Sequence, residues 1–505
     1  MIASLLPLLV ALPLASAGLS VVARFAWVER TLMLAVPAIT MVAGCLLLGY
    51  HTTTPVIAHN VGAYIGGVAI VFASDTLTAL MLTVTGLVTL ISCAYLMGTG
   101  EDRYRFVPAL ILMLITGVNG AVLTGDLFNL FVFVEVMLLP SYALVAVTGS
   151  WRRLGVGRMF VIVNLVTSTI LVIGVGFVYG ATGTVNLAAL AGVAASNPSA
   201  ALAVVIVLFA LLVKAGVVPV HGWLPRSYPA TSAGIMALFS GIHTKVGLYA
   251  VYRIYATVYG PAASWLPVLA GVVIATIVIG SLATFGERRI RGALAYQMVA
   301  GVGQILVGVV AFTQLSLAAG LFYMMHHMVT MGSLVMASGA IETTYGSGRF
   351  DRLQGLMKRE PLIATVMALG FASLVGLPPT SGLWGKVALL GGAAEADQPL
   401  SIWLLAAVGL ASVVSLMALQ RVWVDVFWGP PMKHFLPDDP VTARGERTVI
   451  DEAVRIRLRR SWPSLVLIGV SVTLFLAAGA VWPYFESAAA GLLDVSDYAK
   501  AVLGG

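Results

Sequence analysis

Charge is scarce in this chain. Only 10% of its 505 residues are Asp, Glu, Lys or Arg, against 60% hydrophobic. A soluble domain of that length needs far more charge to cover its surface, so the chain belongs in a bilayer. Cysteine is scarcer still. Cys45 and Cys93 each sit inside an apolar run, and neither a disulfide framework nor a metal motif can be built from them. No Gly-rich phosphate loop, no Cys ligand set and no HExxH pattern occurs, so neither cofactor nor metal is expected. The alternating short segments of a transmembrane barrel are missing too.

What remains is apolar runs of helix-spanning size, about 20 residues each. Fourteen windows can be read: 3–23, 31–50, 75–97, 106–123, 127–148, 159–180, 199–219, 229–255, 264–285, 292–312, 315–340, 361–392, 399–420 and 462–485. The expected fold is an all-α integral membrane protein, one polytopic domain over 1–505 with no linker long enough to hide a soluble one. The opening MIASLLPLLVALPLASAG resembles a signal peptide at LASAG but lacks a positive n-region, so it reads as a retained first helix.

The charges orient the windows. Alternate connections collect 23 of the 28 Lys and Arg residues: Arg24 and Arg30; Arg103 and Arg105; Arg152, Arg153 and Arg158; Arg226; Arg288, Arg289 and Arg291; Arg349, Arg352, Lys358 and Arg359; and eight between Arg421 and Arg460. The opposite side keeps only Arg253 and Lys500. Cytoplasmic loops gather basic residues, so both termini are expected outside. The net charge of +7 is then topological and implies no nucleic-acid partner.

Three lysines remain, all inside apolar spans. Lys214 lies in LLVKAGVVPVHGWLP, beside Gly216 and Pro219, which interrupt the seventh window. Proline lacks the donor that continues a helix, and exposed backbone at membrane depth is tolerated only where protein or water covers it. The broken helix and the buried amine therefore read as one hydrated site; the competing reading is a lysine snorkelling to the nearby cytoplasmic interface. Lys386, in SLVGLPPTSGLWGKVALL, repeats the design beside Gly376, Pro378, Pro379 and Gly382. Lys245 sits in ALFSGIHTKVGLYAVYRI two residues after His243, a spacing that puts the two on different helix faces. Glu135 lies two turns or more from either end of the fifth window, where an ionisable group marks a proton or ion path unless it is a structural carboxylate bonded across helices. His326 and His327, mid-way along the eleventh window, are candidate relays, because imidazole donates and accepts near neutral pH. Asp75, Asp126, Glu342 and Asp425 stand near span ends, where structural roles are expected.

Interrupted spans at matching places in two halves point to an inverted repeat. The two breaks lie five windows apart. This divides the chain into N-terminal helices in 1–105, a first five-helix repeat in 106–255, a second in 264–428 and a last helix at 462–485. A carboxylate and three amines strung through a bilayer form neither a hydrolytic site nor a cofactor cradle. They suit proton passage, since burial draws lysine and glutamate towards a common pKa.

KAGVVPVHGWLPRSY, SGIHTKVGLYAVYRIY, GDLFNLFVFVEVMLLPSYALVA and GLPPTSGLWGK resemble the proton-translocating antiporter-like subunits shared by Mrp-type cation/proton antiporters and respiratory NADH dehydrogenase. The resemblance covers essentially the whole chain. It implies fourteen helices, two inverted five-helix repeats with broken helices seven and twelve, and proton half-channels meeting at a central lysine. Carried over, Glu135 matches the fifth-helix glutamate, Lys214 its seventh-helix partner, Lys245 the central lysine and Lys386 the twelfth-helix lysine. The implied partners are the other subunits of a hetero-oligomeric complex in a prokaryotic plasma membrane, its lipid, protons and sodium. The alternative is a proton-pumping membrane subunit of an NADH:quinone oxidoreductase or membrane-bound hydrogenase. One respiratory member has glutamate where Lys386 stands, and the chain lacks the long lateral helix of the largest members. Two departures are evident. Thr330 occupies a position where many members carry lysine, so its relay role is expected to pass to the histidines or to water. Pro140, little more than one turn after Glu135, is expected to bend that helix.

Overall fold

A computed structural model describes residues 2–23, 25–67, 69–147, 151–260, 265–435, 448–451 and 453–504. Of the basic residues used to orient the windows, Arg24, Arg444 and Arg447 lie outside the described residues, as do the side chains of Arg152 and Arg153.

The described residues form twenty α-helices and two small two-stranded sheets. Ten helices are long and apolar enough to cross a membrane, or eleven if the bent pair Leu458–Leu476 and Ala478–Leu493 counts as one. Val107–Leu123 and Pro361–Val375 are apolar but shorter. Each window read from the sequence overlaps a helix or a pair of helices.

The bundle is layered. Ala233–Val258, Ile290–Ala311 and Gln314–Tyr345 form the centre, with nearly every side chain buried. Ala3–Ala23 and Leu154–Thr182 are largely exposed along their apolar faces. Small residues permit the close central packing, since helices in lipid associate by backbone approach and not by hydrophobic exclusion. A methyl group at Gly301 would collide with His327 Nε2, and one at Gly280 would stand 2.5 Å from the Ala300 amide.

Three details differ from the sequence reading. Both interrupted windows are ended by glycine before any proline is reached. Pro198–Ala215 stops at Gly216 (φ 84°) and Pro361–Val375 at Gly376 (φ 95°), each a left-handed cap, and the chain restarts as helix at Trp223 and Ser381. A β-carbon penalises that conformation, so glycine decides where each break begins. The last window is not one straight helix but bends by 86° at Ala477. Finally, the connection before the third span holds an antiparallel hairpin, Val56–Asn60 with Val71–Asp75, pairing Val56 with Asp75. The short C-terminal helix Ser496–Leu503 packs over it, with the Leu503 carbonyl against Gly66.

Candidate functional site

Glu135 stands near the middle of Leu127–Ala146, half-buried, with its Oε1 fully enclosed and lacking a hydrogen-bond partner. Lys214 occupies the last turn of Pro198–Ala215. It is only 4% exposed, and its ammonium has no partner either. The amine is enclosed by protein and does not reach the surface of the chain. The two groups lie within electrostatic reach of one another, and Lys214 also acts on His243. His243 Nε2 lies 2.7 Å from Ser141 Oγ, and its ring stacks on Phe239 at 4.5 Å. Ser141 shares the helix of Glu135, so Glu135, Lys214 and His243 converge between three elements.

Lys245, 0% exposed, faces the other way along Ala233–Val258. Its Nζ donates to the Ser240 carbonyl at 2.8 Å, and its charge reaches His327 on Gln314–Tyr345. Neither ring nitrogen of His327 finds a partner. The adjacent His326 points towards the second break: Nδ1 meets Ser381 Oγ at 2.9 Å, and the ring lies in the field of Lys386. Lys386, 5% exposed, donates to Ser412 Oγ at 2.8 Å, while its stem packs against Gly376. The ionisable groups thus fall into two clusters, Glu135–Lys214–His243 and Lys245–His327–His326–Lys386, and the helix Ala233–Val258 carries one member on each of its two faces. No metal-binding group of three or more His, Cys, Asp or Glu occurs among the described residues.

Sequence reasoning does not find the hydroxyl partners Ser141, Ser381 and Ser412, because a serine in an apolar helix carries no spacing signal. Arg253, which the charge pattern assigns to the outer side, is 2% exposed and bound to Asp75 at 2.6 Å, a pairing that the sequence did not reveal. Asp75 also caps Thr76–Thr99, accepting from Thr78 N at 2.9 Å. Burial pushes the Asp75 carboxyl up, yet the guanidinium and the Thr78 amide hold it below its ordinary value. Asp126 likewise caps Leu127–Ala146, and Glu342 binds Arg291.

The family described as NADH:quinone oxidoreductase/Mrp antiporter, TM, matches residues 124–415, a stretch that contains every lysine, histidine and carboxylate of the two clusters. The chain belongs to this family. Among its relatives, the D subunit of the Na(+)/H(+) antiporter of Bacillus subtilis (strain 168) is 31% identical over 99% of both chains. Its counterpart from Alkalihalophilus pseudofirmus is 31% identical over 92% of each. Among solved structures, a chain of the Mrp complex from Dietzia sp. DQ12-45-1b superposes with a TM-score of 0.94 at 40% identity, covering all of both chains. A chain of respiratory complex I from Thermus thermophilus shares the family fold at a TM-score of 0.80 and 21% identity, over 97% of this chain and all of that one.

Proposed function

We propose that this chain is the D-type, proton-translocating subunit of a multisubunit Na+/H+ antiporter in a prokaryotic plasma membrane. It crosses fourteen times as two inverted five-helix repeats, with both termini outside. Protons enter the first cluster at Glu135 and Lys214, pass Lys245 at the centre and leave through His327, His326 and Lys386. The observation that carries this reading is the buried, unpartnered state of Glu135 Oε1 and Lys214 Nζ beside a helix break. A charge kept from water without an ion-pair or hydrogen-bond partner is costly. A path whose groups charge and discharge in turn avoids a permanent penalty.

Conduction through Lys245 requires its amine to lose a proton transiently. Arginine keeps its charge at any working pH. In vesicles holding the complete complex and no electron donor, Lys245→Arg is expected to assemble and to exchange no better than Lys245→Ala. Near-normal exchange by Lys245→Arg would make this residue a fixed charge. Absence of sodium/proton exchange by the unmodified complex until an electron donor is supplied would favour the redox-driven pump instead.

A further inference from the structure

Four buried hydroxyls beside His326 behave unlike others in the bundle. Thr85, Thr89, Thr116 and Ser281 each donate to the carbonyl four residues back in their own helix, the usual local outlet for a helix hydroxyl. Thr330, Ser373, Ser381 and Ser471 bond instead to one another and to the imidazole. His326 Nδ1 lies 2.9 Å from Ser381 Oγ, Ser381 Oγ 2.8 Å from Ser471 Oγ, and Ser471 Oγ 3.2 Å from Ser373 Oγ. Ser373 Oγ is 3.2 Å from Thr330 Oγ1, which closes the circuit to Nδ1 at 3.3 Å. A weaker contact of 3.5 Å crosses from Ser373 to Nδ1. All five residues are 0% exposed. They come from Gln314–Tyr345, from both halves of the broken helix, and from Leu458–Leu476, which lies outside both repeats.

We propose that this ring is a proton relay between the central histidine pair and the second helix break, and that Ser471 brings the last helix into the conduction path. The proposal rests on the reading that protons cross the second half through His326. A purely structural cluster would satisfy each hydroxyl with a fixed acceptor such as a carbonyl. Here every partner is a hydroxyl or an imidazole nitrogen, and these donate or accept according to their neighbours, so the sense of the chain can reverse.

The transfer balances. A proton taken up at His326 Nε2, which is buried and unpartnered, lets Nδ1 release its own to Ser381. Ser381 passes one to Ser471, and Ser471 passes one to Ser373. Each hydroxyl gains and loses one proton. Ser373 stands at the end of its half-helix, three residues before Gly376, against which the Lys386 stem packs. Ser373 then gives its own proton to water at the break, and that water delivers it to the Lys386 amine in its neutral form. Rotation of the hydroxyls and return of the imidazole to its first tautomer reset the ring.

The test is sodium/proton exchange by the complete complex in vesicles, with Ser471→Ala, Ser381→Ala and Ser471→Thr compared alongside Lys245→Arg. Both alanine variants should assemble normally yet exchange roughly five- to tenfold more slowly, the scale set by losing one buried hydrogen-bond link. Their rates should also show a larger solvent-deuterium effect than the unmodified protein, and Ser471→Thr should restore most of the rate. A solely structural hydroxyl would alter assembly without changing the isotope effect. Unmodified rates and isotope effects in both alanine variants, with Lys245→Arg inactive, would overturn the ring and leave the lysine path standing. Normal exchange by Lys245→Arg would overturn the path itself. Ser381→Ala probes the ring independently of how the last helix packs.

Discussion

Glu135 and Lys214 are close enough to feel each other's charge, yet neither the ammonium nor Glu135 Oε1 has a hydrogen-bond partner. A locked ion pair would hold both charges permanently. This looser arrangement lets the carboxylate bias the amine while leaving it free to exchange a proton. Glu135→Ala is therefore expected to leave the complex assembled and to lower exchange by at least about a hundredfold, as removing a group that transfers protons does. Normal rates in the vesicle assay would sink the proposed bias. Asp75 and Arg253 present the opposite case: a tight pair, further fixed by the Thr78 amide and by the Tyr498 ring 4.9 Å from the guanidinium. Asp75→Asn should cost about 3 to 5 kcal/mol, the range for breaking a buried pair by removing one partner, read as a lower melting temperature in detergent. The Asp75 carboxyl is held below its ordinary 3.8. Its stabilisation is thus fully present above that value and is lost only as pH falls through the lower, folded-state value. The melting difference between Asp75→Asn and the unmodified protein should be the same at pH 6 and pH 8.

Among the elements, the two broken helices share one construction. Each ends on a left-handed glycine and restarts within a few residues, and each holds a lysine against the gap. Lys214 lies just before Gly216, whereas Lys386 comes from the second half-helix and lays its stem across Gly376. A methyl group at residue 376 would meet Lys386 Cδ at 2.8 Å and would be strained at φ 95° by roughly 1 to 2 kcal/mol. Gly376→Ala should consequently shift the amine away from Ser412 and impair exchange more than it impairs assembly. Because the glycine ends the helix first, Pro378→Ala should have the milder effect of the two. Equal exchange rates in these two variants would argue against glycine as the determinant of the break.

At the scale of the whole molecule, the proposed fourteen crossings place the basic connections on one side and the hairpin with the C-terminal helix on the other. Cys45 and Cys93 are the chain's two cysteines, so their replacement leaves a background for labelling. A cysteine at Lys500 should react with a membrane-impermeant maleimide on intact cells, and one at Lys358 only after permeabilisation. The reverse pattern would invert the topology, and labelling of both from outside would break the count of crossings.

The sequence alone settled the membrane setting, the helical class and the burial of Lys214, Lys245, Lys386, His243, His326 and His327. Each of these rests on composition, run length or a charge in an apolar context, which are properties of a short stretch of chain. Only the tertiary structure decided which side chains meet. The members of the hydroxyl ring at His326 are separated from it by up to 145 positions, and nothing in an apolar helix distinguishes Ser471 from Ser464 before the helices pack. Arg253 illustrates the same limit. Its charge was plain, but whether it faced solvent or a carboxylate 178 residues away was fixed by packing of the third span, the central helix and the C-terminal helix around it. The breaks lay between these extremes: glycine and proline announced them locally, whereas the left-handed caps and the lysine laid across the second gap required the folded backbone.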